Sequence, residues 1–334
     1  SGGERILISV LSGFLAAFAV AMLLLPLNIK LVKRLKAGQP ILSYVDNHKS
    51  KAGTPTMGGA SIVLALMTAL FFTRHNDRIA YIIVIVTVGY ALIGFIDDFI
   101  KVRYKNNKGL SAVQKIIFQL LLAAMVSVYA YFSDSVGSAV FVPFAPKKIE
   151  LGAFAPVYFI FIFLAFTNSV NLTDGLDGLA ASVTATNTLF VCAIMGIGMA
   201  ADVLYGDGTA DMIVLSAAMC GACCAFLFYN THPAQIFMGD TGSMALGGFL
   251  ASVAVLGKMS LSMLLIGVMY IVSSLSVIIQ VIAFKSTGKR VFLMSPLHHH
   301  FERKGVFEGK IATCYTLVTF VCGIVTVALM IVLY

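Results

Sequence analysis

Ten stretches of the chain run for about 16 to 24 residues with few or no charges, at 6–27, 58–73, 79–96, 113–132, 155–170, 178–200, 212–229, 241–257, 261–284 and 312–334. In water so much unbroken apolar sequence has no polar face to present. In a bilayer each stretch approaches the roughly 20 residues that a helix needs to cross about 30 Å of hydrocarbon. A helix also satisfies its own backbone N–H and C=O groups there. The other spanning architecture, a barrel, alternates apolar and polar residues over about ten positions, and these runs do not alternate. Composition agrees: 59% of residues are hydrophobic and 11% charged, against roughly 25% charged in soluble domains. The expected fold is all-α: a polytopic integral membrane protein of ten transmembrane helices, one domain over 1–334.

The loops between these runs fall on two faces. Loops 28–57, 97–112, 171–177, 230–240 and 285–311, with Lys115 at an edge, hold 17 of the 23 Lys and Arg residues; the face bearing both termini holds 6. The positive-inside rule makes the first face cytoplasmic and both termini extracytoplasmic. The net charge of +8 therefore reads as a topology signal, with no nucleic acid implied. No acid or base lies near the middle of a span, which argues against an ion-coupled or lipid-linked transporter, whose substrate path carries such groups. The six cysteines all fall in apolar stretches and read as small buried hydrophobes.

On the cytoplasmic face the acids gather in short motifs. Asp97-Asp98-Phe99-Ile100-Lys101 closes the third run. Adjacent carboxylates repel unless a cation sits with them, and the lysine offers a phosphate contact; a span terminator facing water is the plainer reading. In Asn171-Leu172-Thr173-Asp174-Gly175-Leu176-Asp177-Gly178 the polar residues recur every three positions, which puts them roughly on one helical face, although such residues also cap helices and turns. The segment from Asn230 to Ser243 contains Phe237, Gly239 and a single acid, Asp240, just before a helix start, a place that favours anions such as phosphate. Ser295-Pro296-Leu297-His298-His299-His300-Phe301-Glu302 carries three consecutive histidines that cannot all face one way. The stretch Lys49–Gly59 is a basic, glycine-rich entry to the second run and includes Lys51. Hard carboxylate oxygens without cysteine suit Mg²⁺, and Lys and His suit phosphates. Phosphoryl transfer needs little more than a cation, positive side chains and an aligned nucleophile.

These motifs together resemble the polyprenyl-phosphate N-acetylhexosamine-1-phosphate transferases, through Asp97-Asp98-x-x-Lys101, the Asn171–Gly178 stretch and Phe237-Met238-Gly239-Asp240. Gly53-Thr54-Pro55-Thr56-Met57-Gly58-Gly59 and the histidine motif resemble one branch of that family. The resemblance spans the chain. It implies an Mg²⁺-dependent enzyme that moves phospho-MurNAc-pentapeptide from UDP-MurNAc-pentapeptide to undecaprenyl phosphate, giving lipid I and UMP in peptidoglycan synthesis. It implies a homodimer in the bacterial cytoplasmic membrane, and a ninth helix that is broken and bent.

Carried over by position, the resemblance makes Asp240 the metal ligand and Asp97 and Asp98 a catalytic pair near the lipid phosphate, with Asp98 as the base. Lys101 would contact pyrophosphate. Asn171, Asp174 and Asp177 would contact nucleotide and sugar; Asn230, Phe237 and Gly239 would surround the uridine. His299 and His300 would contact phosphate or sugar, and Lys51 would reach the donor. The alternatives are a sister transferase using UDP-GlcNAc and a lipid-linked transporter.

Overall fold

The computed structural model describes residues 2–34, 53–73, 78–104, 109–145, 147–201 and 208–333. These form twelve α-helices and one small hairpin: α1 (Gly2–Arg34), α2 (Gly59–Met67), α3 (Arg78–Tyr104), α4 (Ala112–Phe132), β1 (Ala139–Phe141), β2 (Lys148–Glu150), α5 (Ala155–Thr173), α6 (Leu179–Ala200), α7 (Thr209–Asn230), α8 (Gly239–Leu256), α9 (Ser260–Ile266), α10 (Val268–Thr287), α11 (Leu297–Arg303) and α12 (Glu308–Leu333). Nine of the described helices are long and apolar enough to cross a membrane. The run at 58–73 forms a shorter unit: α2 continues as a 3-10 turn over Thr68–Phe72. Fourteen residues at about 1.5 to 2 Å each reach about 24 Å, short of a roughly 30 Å core.

The helices are not equivalent. The apolar window of α8 is 89% buried and that of α7 78%, whereas those of α1, α10 and α12 are 17%, 22% and 22% buried. Helix α8 is therefore the centre, packed against α3 and α5, with α7 joining α1 to α6. Its small residues explain its place: Gly239, Gly242, Ala245, Gly247, Gly248 and Ala251 let neighbouring backbones come close. A Cβ at Gly94 on α3 would overlap the backbone carbonyl of Asp240, and one at Gly59 on α2 would overlap Gly242. The end of α3 and the start of α2 thus meet the start of α8 at backbone contact distance.

Other features follow from local sequence. Ser111 caps α4, its hydroxyl accepting from Gln114 N at 3.2 Å while its own N–H donates to Gln114 Oε1 at 2.9 Å. This reciprocal cap places Lys115 on the first turn of α4. The run at 261–284 is interrupted at Gly267, which separates α9 from α10. Antiparallel β1 and β2 pair with Val140 opposite Ile149, and Phe141 N donates to Lys258 O at 2.8 Å. Cys220 and Cys223 are buried as expected; Cys314 is exposed because α12 is peripheral.

Gly94→Val should be poorly tolerated, because the overlap is with backbone that cannot rotate away. Thermal unfolding in detergent should show a loss of about 3 kcal/mol or more, and an unchanged unfolding midpoint would refute this close packing.

Candidate active site

The start of α8 leaves backbone N–H groups without helical partners, beside the buried Thr241 and Asp98. Asp98, at the end of α3, supplies the acceptors: Oδ1 accepts from Asp240 N at 3.1 Å, and Oδ2 accepts from Thr241 N at 2.9 Å and Thr241 Oγ1 at 2.7 Å. A carboxylate here also complements the positive end of the α8 dipole. The local chain needs glycine at 239, where φ is +72°; a Cβ there would run into the Asp98 carboxylate and the Thr56 hydroxyl.

Asp97, one residue earlier and fully buried, points to a different set. Its Oδ1 accepts from Leu110 N at 2.8 Å and lies 3.0 Å from Lys115 Nζ; its Oδ2 lies 2.5 Å from Lys101 Nζ. The same two ammonium groups reach Asp240 Oδ2, Lys115 at 2.6 Å and Lys101 at 3.1 Å. Asn171, at the end of α5, donates from Nδ2 to Asp240 Oδ1 at 3.0 Å and to Ser243 Oγ at 2.8 Å. Four helix ends therefore converge on one point, where Asp97 and Asp240 face two lysines and Asp98 holds the start of α8 beside them.

The donor set suits a hard cation. One oxygen from each of Asp97, Asp98 and Asp240 lies within 4.8 Å of the others; all three are carboxylates, and the acids outnumber the lysines by one. Such oxygens match Mg²⁺. Lys101 and Lys115 contact oxygens of Asp97 and Asp240 as well, so a divalent cation and the ammonium groups compete for the same ligands.

A second polar group gathers where the Asn171–Gly178 loop meets the segment after α7. Asp177 Oδ2 lies 3.0 Å from His232 Nδ1 and accepts from Ala234 N at 3.1 Å. Glu308 Oε2 is 3.9 Å from the same His232 nitrogen. Asn230 holds the two loops together: its Oδ1 accepts from Gly178 N at 3.0 Å and its Nδ2 donates to Ile236 O at 2.9 Å. Half-buried Phe237 is fixed through its backbone, with N donating to Pro55 O at 2.8 Å and O accepting from Gly58 N at 2.9 Å. This pairing docks the glycine-rich segment 53–59 against the start of α8. Asp174, half-buried, has its carboxyl pushed up to about 8 by burial and then by the negative charges of Asp240, Asp98 and Asp177.

The three histidines take three directions. His298 is completely buried, with neither ring nitrogen hydrogen-bonded among the described residues, and burial followed by the neighbouring His299 pushes it down to about 3. Its Nε2 sits where a Cβ on Gly175 would be, and that of His299 lies close by. The histidine helix α11 thus packs on the Asn171–Gly178 loop. His299 Nδ1 is 2.8 Å from Glu302 Oε2. His300 turns the other way, its Nδ1 accepting from Leu293 N at 3.1 Å. Lys51 lies outside the described residues. The sequence reading missed the part played by Lys115, counting it only as an edge charge; the Ser111–Gln114 cap was the signal that put it on a helix's first turn. Thr241 was missed as well, since a threonine beside an aspartate carries no signal of its own.

The chain matches the model of the family described as glycosyl transferase family 4 over residues 79–258. A phospho-N-acetylmuramoyl-pentapeptide-transferase of Clostridium novyi is 41% identical over 307 residues, covering 91% of this chain and 92% of the relative. One from Anoxybacillus flavithermus is 43% identical, covering 90% and 91%, and one from Clostridium perfringens is 41% identical, covering 93% and 96%. The chain belongs to the phospho-N-acetylmuramoyl-pentapeptide-transferase family.

Membership in this transferase family fits the apolar helices and makes the chain a multi-pass bacterial membrane protein. The matched residues 79–258 of glycosyl transferase family 4 contain the whole Asp97–Asp98–Lys101–Lys115–Asn171–Asp240 centre. The histidine helix lies beyond them.

The raised Asp174 carboxyl sets a pH dependence. Its proton is held more tightly folded than unfolded, so folding stability falls as pH rises from about 4 and levels off above about 8. Asp174→Asn should remove this slope in Mg²⁺-free thermal unfolding scans. Parallel curves for the two proteins between pH 5 and 8 would show that Asp174 is not perturbed.

Proposed function

We propose that this chain transfers phospho-MurNAc-pentapeptide from UDP-MurNAc-pentapeptide to undecaprenyl phosphate, releasing UMP and forming lipid I. Support for the reaction comes from the family to which the chain belongs. Support for the residues comes from one observation: the ends of α3, α4, α5 and α8 bring three carboxyl groups and two lysines to a single point beside a helix N-terminus. In this reading an oxygen of the lipid phosphate attacks the donor's β-phosphorus in line. The bond from that phosphorus to the oxygen bridging the two phosphates breaks, and UMP leaves with that oxygen.

A phosphate monoester has a second pKa of about 6, so the acceptor is already mostly dianionic at neutral pH and a covalent relay through an aspartate gains little. What the site must supply is position and countercharge. Lys101 and Lys115 meet the pyrophosphate. Asn171 orients Asp240. Asp98 holds the start of α8 with both oxygens, so service as the base requires those bonds to open as the lipid phosphate enters. Asp177, Asn230, Phe237 and Gly239 shape the nucleotide end, and Asp174, His299 and His300 the sugar side. Asp240, with Asp97 and Asp98, would hold Mg²⁺, which neutralises charge on the transferring phosphoryl oxygens when bound.

The same reading puts the reaction at the cytoplasmic face with both termini outside, which requires the short unit Gly59–Phe72 to cross where the bilayer thins locally. The peripheral helices α1 and α12, little buried within one chain, leave surface for a homodimer.

The test is UMP release by purified protein in detergent. Release should require UDP-MurNAc-pentapeptide and undecaprenyl phosphate, and should stop with EDTA. Asp240→Asn should slow it on the order of 10³-fold. Release with UDP-GlcNAc instead would favour the sister transferase, and release indifferent to EDTA would remove the metal.

A further inference from the structure

Helix α10 leaves the bundle: Leu275, Ile278, Val281, Ile282 and Phe284 are each 45–62% exposed along its length. Where it ends, a cavity of about 1000 Å³ opens between its last turns and the segment leading to α11. Three cations line it, Lys285 from α10, Arg290 from the following segment and Arg303 from α11, with Val281, Phe284 and Leu293 as apolar wall. No acidic residue is among the described lining residues. Lys285 sits at the negative end of the α10 dipole and Arg303 in the last turn of α11; with Arg290 from the segment between them, three separate elements bring positive charge to one cavity.

The cavity is also built. Gln280 uses its whole amide to hold the segment in place: Nε2 donates to Phe292 O at 2.9 Å, and Oε1 accepts from Val291 N at 3.0 Å and Phe292 N at 2.9 Å. His300 fixes the far side through Leu293 N. A pocket at the end of a lipid-exposed helix, apolar toward the bilayer and triply cationic at the surface, has the chemistry of a phosphate headgroup attached to acyl chains. We propose that it binds an anionic phospholipid of the surrounding leaflet, the phosphate between Lys285, Arg290 and Arg303 and the upper acyl carbons against Val281 and Phe284. A soluble anion would gain nothing from that wall.

The test uses the full chain, delipidated in a neutral detergent, and the triple variant Lys285→Gln/Arg290→Gln/Arg303→Gln. Native mass spectrometry with phosphatidylglycerol, phosphatidylcholine and glycerol 3-phosphate should give clear preference for phosphatidylglycerol. The triple variant should lose on the order of 100-fold in that affinity while still releasing UMP in phosphatidylcholine bilayers. Hydrogen exchange on the unmodified chain should show segment 284–295 protected by phosphatidylglycerol and not by phosphatidylcholine, a readout independent of the variant's folding. Equal binding of phosphatidylcholine, equal binding of glycerol 3-phosphate, or unprotected 284–295 would each overturn the proposal. So would a variant whose only defect is a higher KM for the full pentapeptide donor than for one with a shortened peptide, which would give the cavity to the donor.

Discussion

The grip of one carboxylate on one helix start holds this molecule in register. Asp98 accepts from the backbone of Asp240 and from both the backbone and hydroxyl of Thr241, joining the end of α3 to the start of the most buried helix. In a low-dielectric surrounding, unpaired N–H groups at the start of α8 are expensive, and so is an unpaired carboxylate. Each satisfies the other. Because Asp97 is the preceding residue and Lys101 lies one turn further on, fixing Asp98 also fixes where those two side chains meet Asp240.

This arrangement separates two tasks that adjacent aspartates combine in the sequence. Asp98 faces the helix and is fully engaged with it. Asp97 faces the lysines and completes a charged cluster in which every carboxyl group has a partner. In such a cluster the loss of any one member would leave an uncompensated buried charge. A site built on four helix ends is also stiff, which suits a reaction that depends on alignment more than on acid–base strength.

The histidines show how packing divides a repeated residue. His298 is buried against Gly175 and is held neutral, so it serves as a wedge between α11 and the acidic loop. His299 stays beside that loop, and His300 instead braces the segment over the cationic cavity at the end of α10. Three identical side chains in a row thus connect two regions, because successive residues on a helix point about 100° apart.

Much of the fold was legible because a bilayer allows few answers. Apolar runs of sufficient length must be helices, and nine of the described helices are long and apolar enough to cross a membrane. The acidic motifs stood out because charges are scarce here and cluster at run ends. What could not be read was which ends meet. The run at 58–73 looks like its neighbours in composition, yet forms a shorter helix tucked against Gly242. Lys115 looked like an edge charge until α4 was docked beside α3. Sequence by itself determined the helices and the chemistry available at their ends, since both depend on local polarity. Only the tertiary structure decided which carboxylate holds a helix and which faces the lysines, because that depends on backbone contacts as close as Gly94 against Asp240, made between residues far apart in the chain.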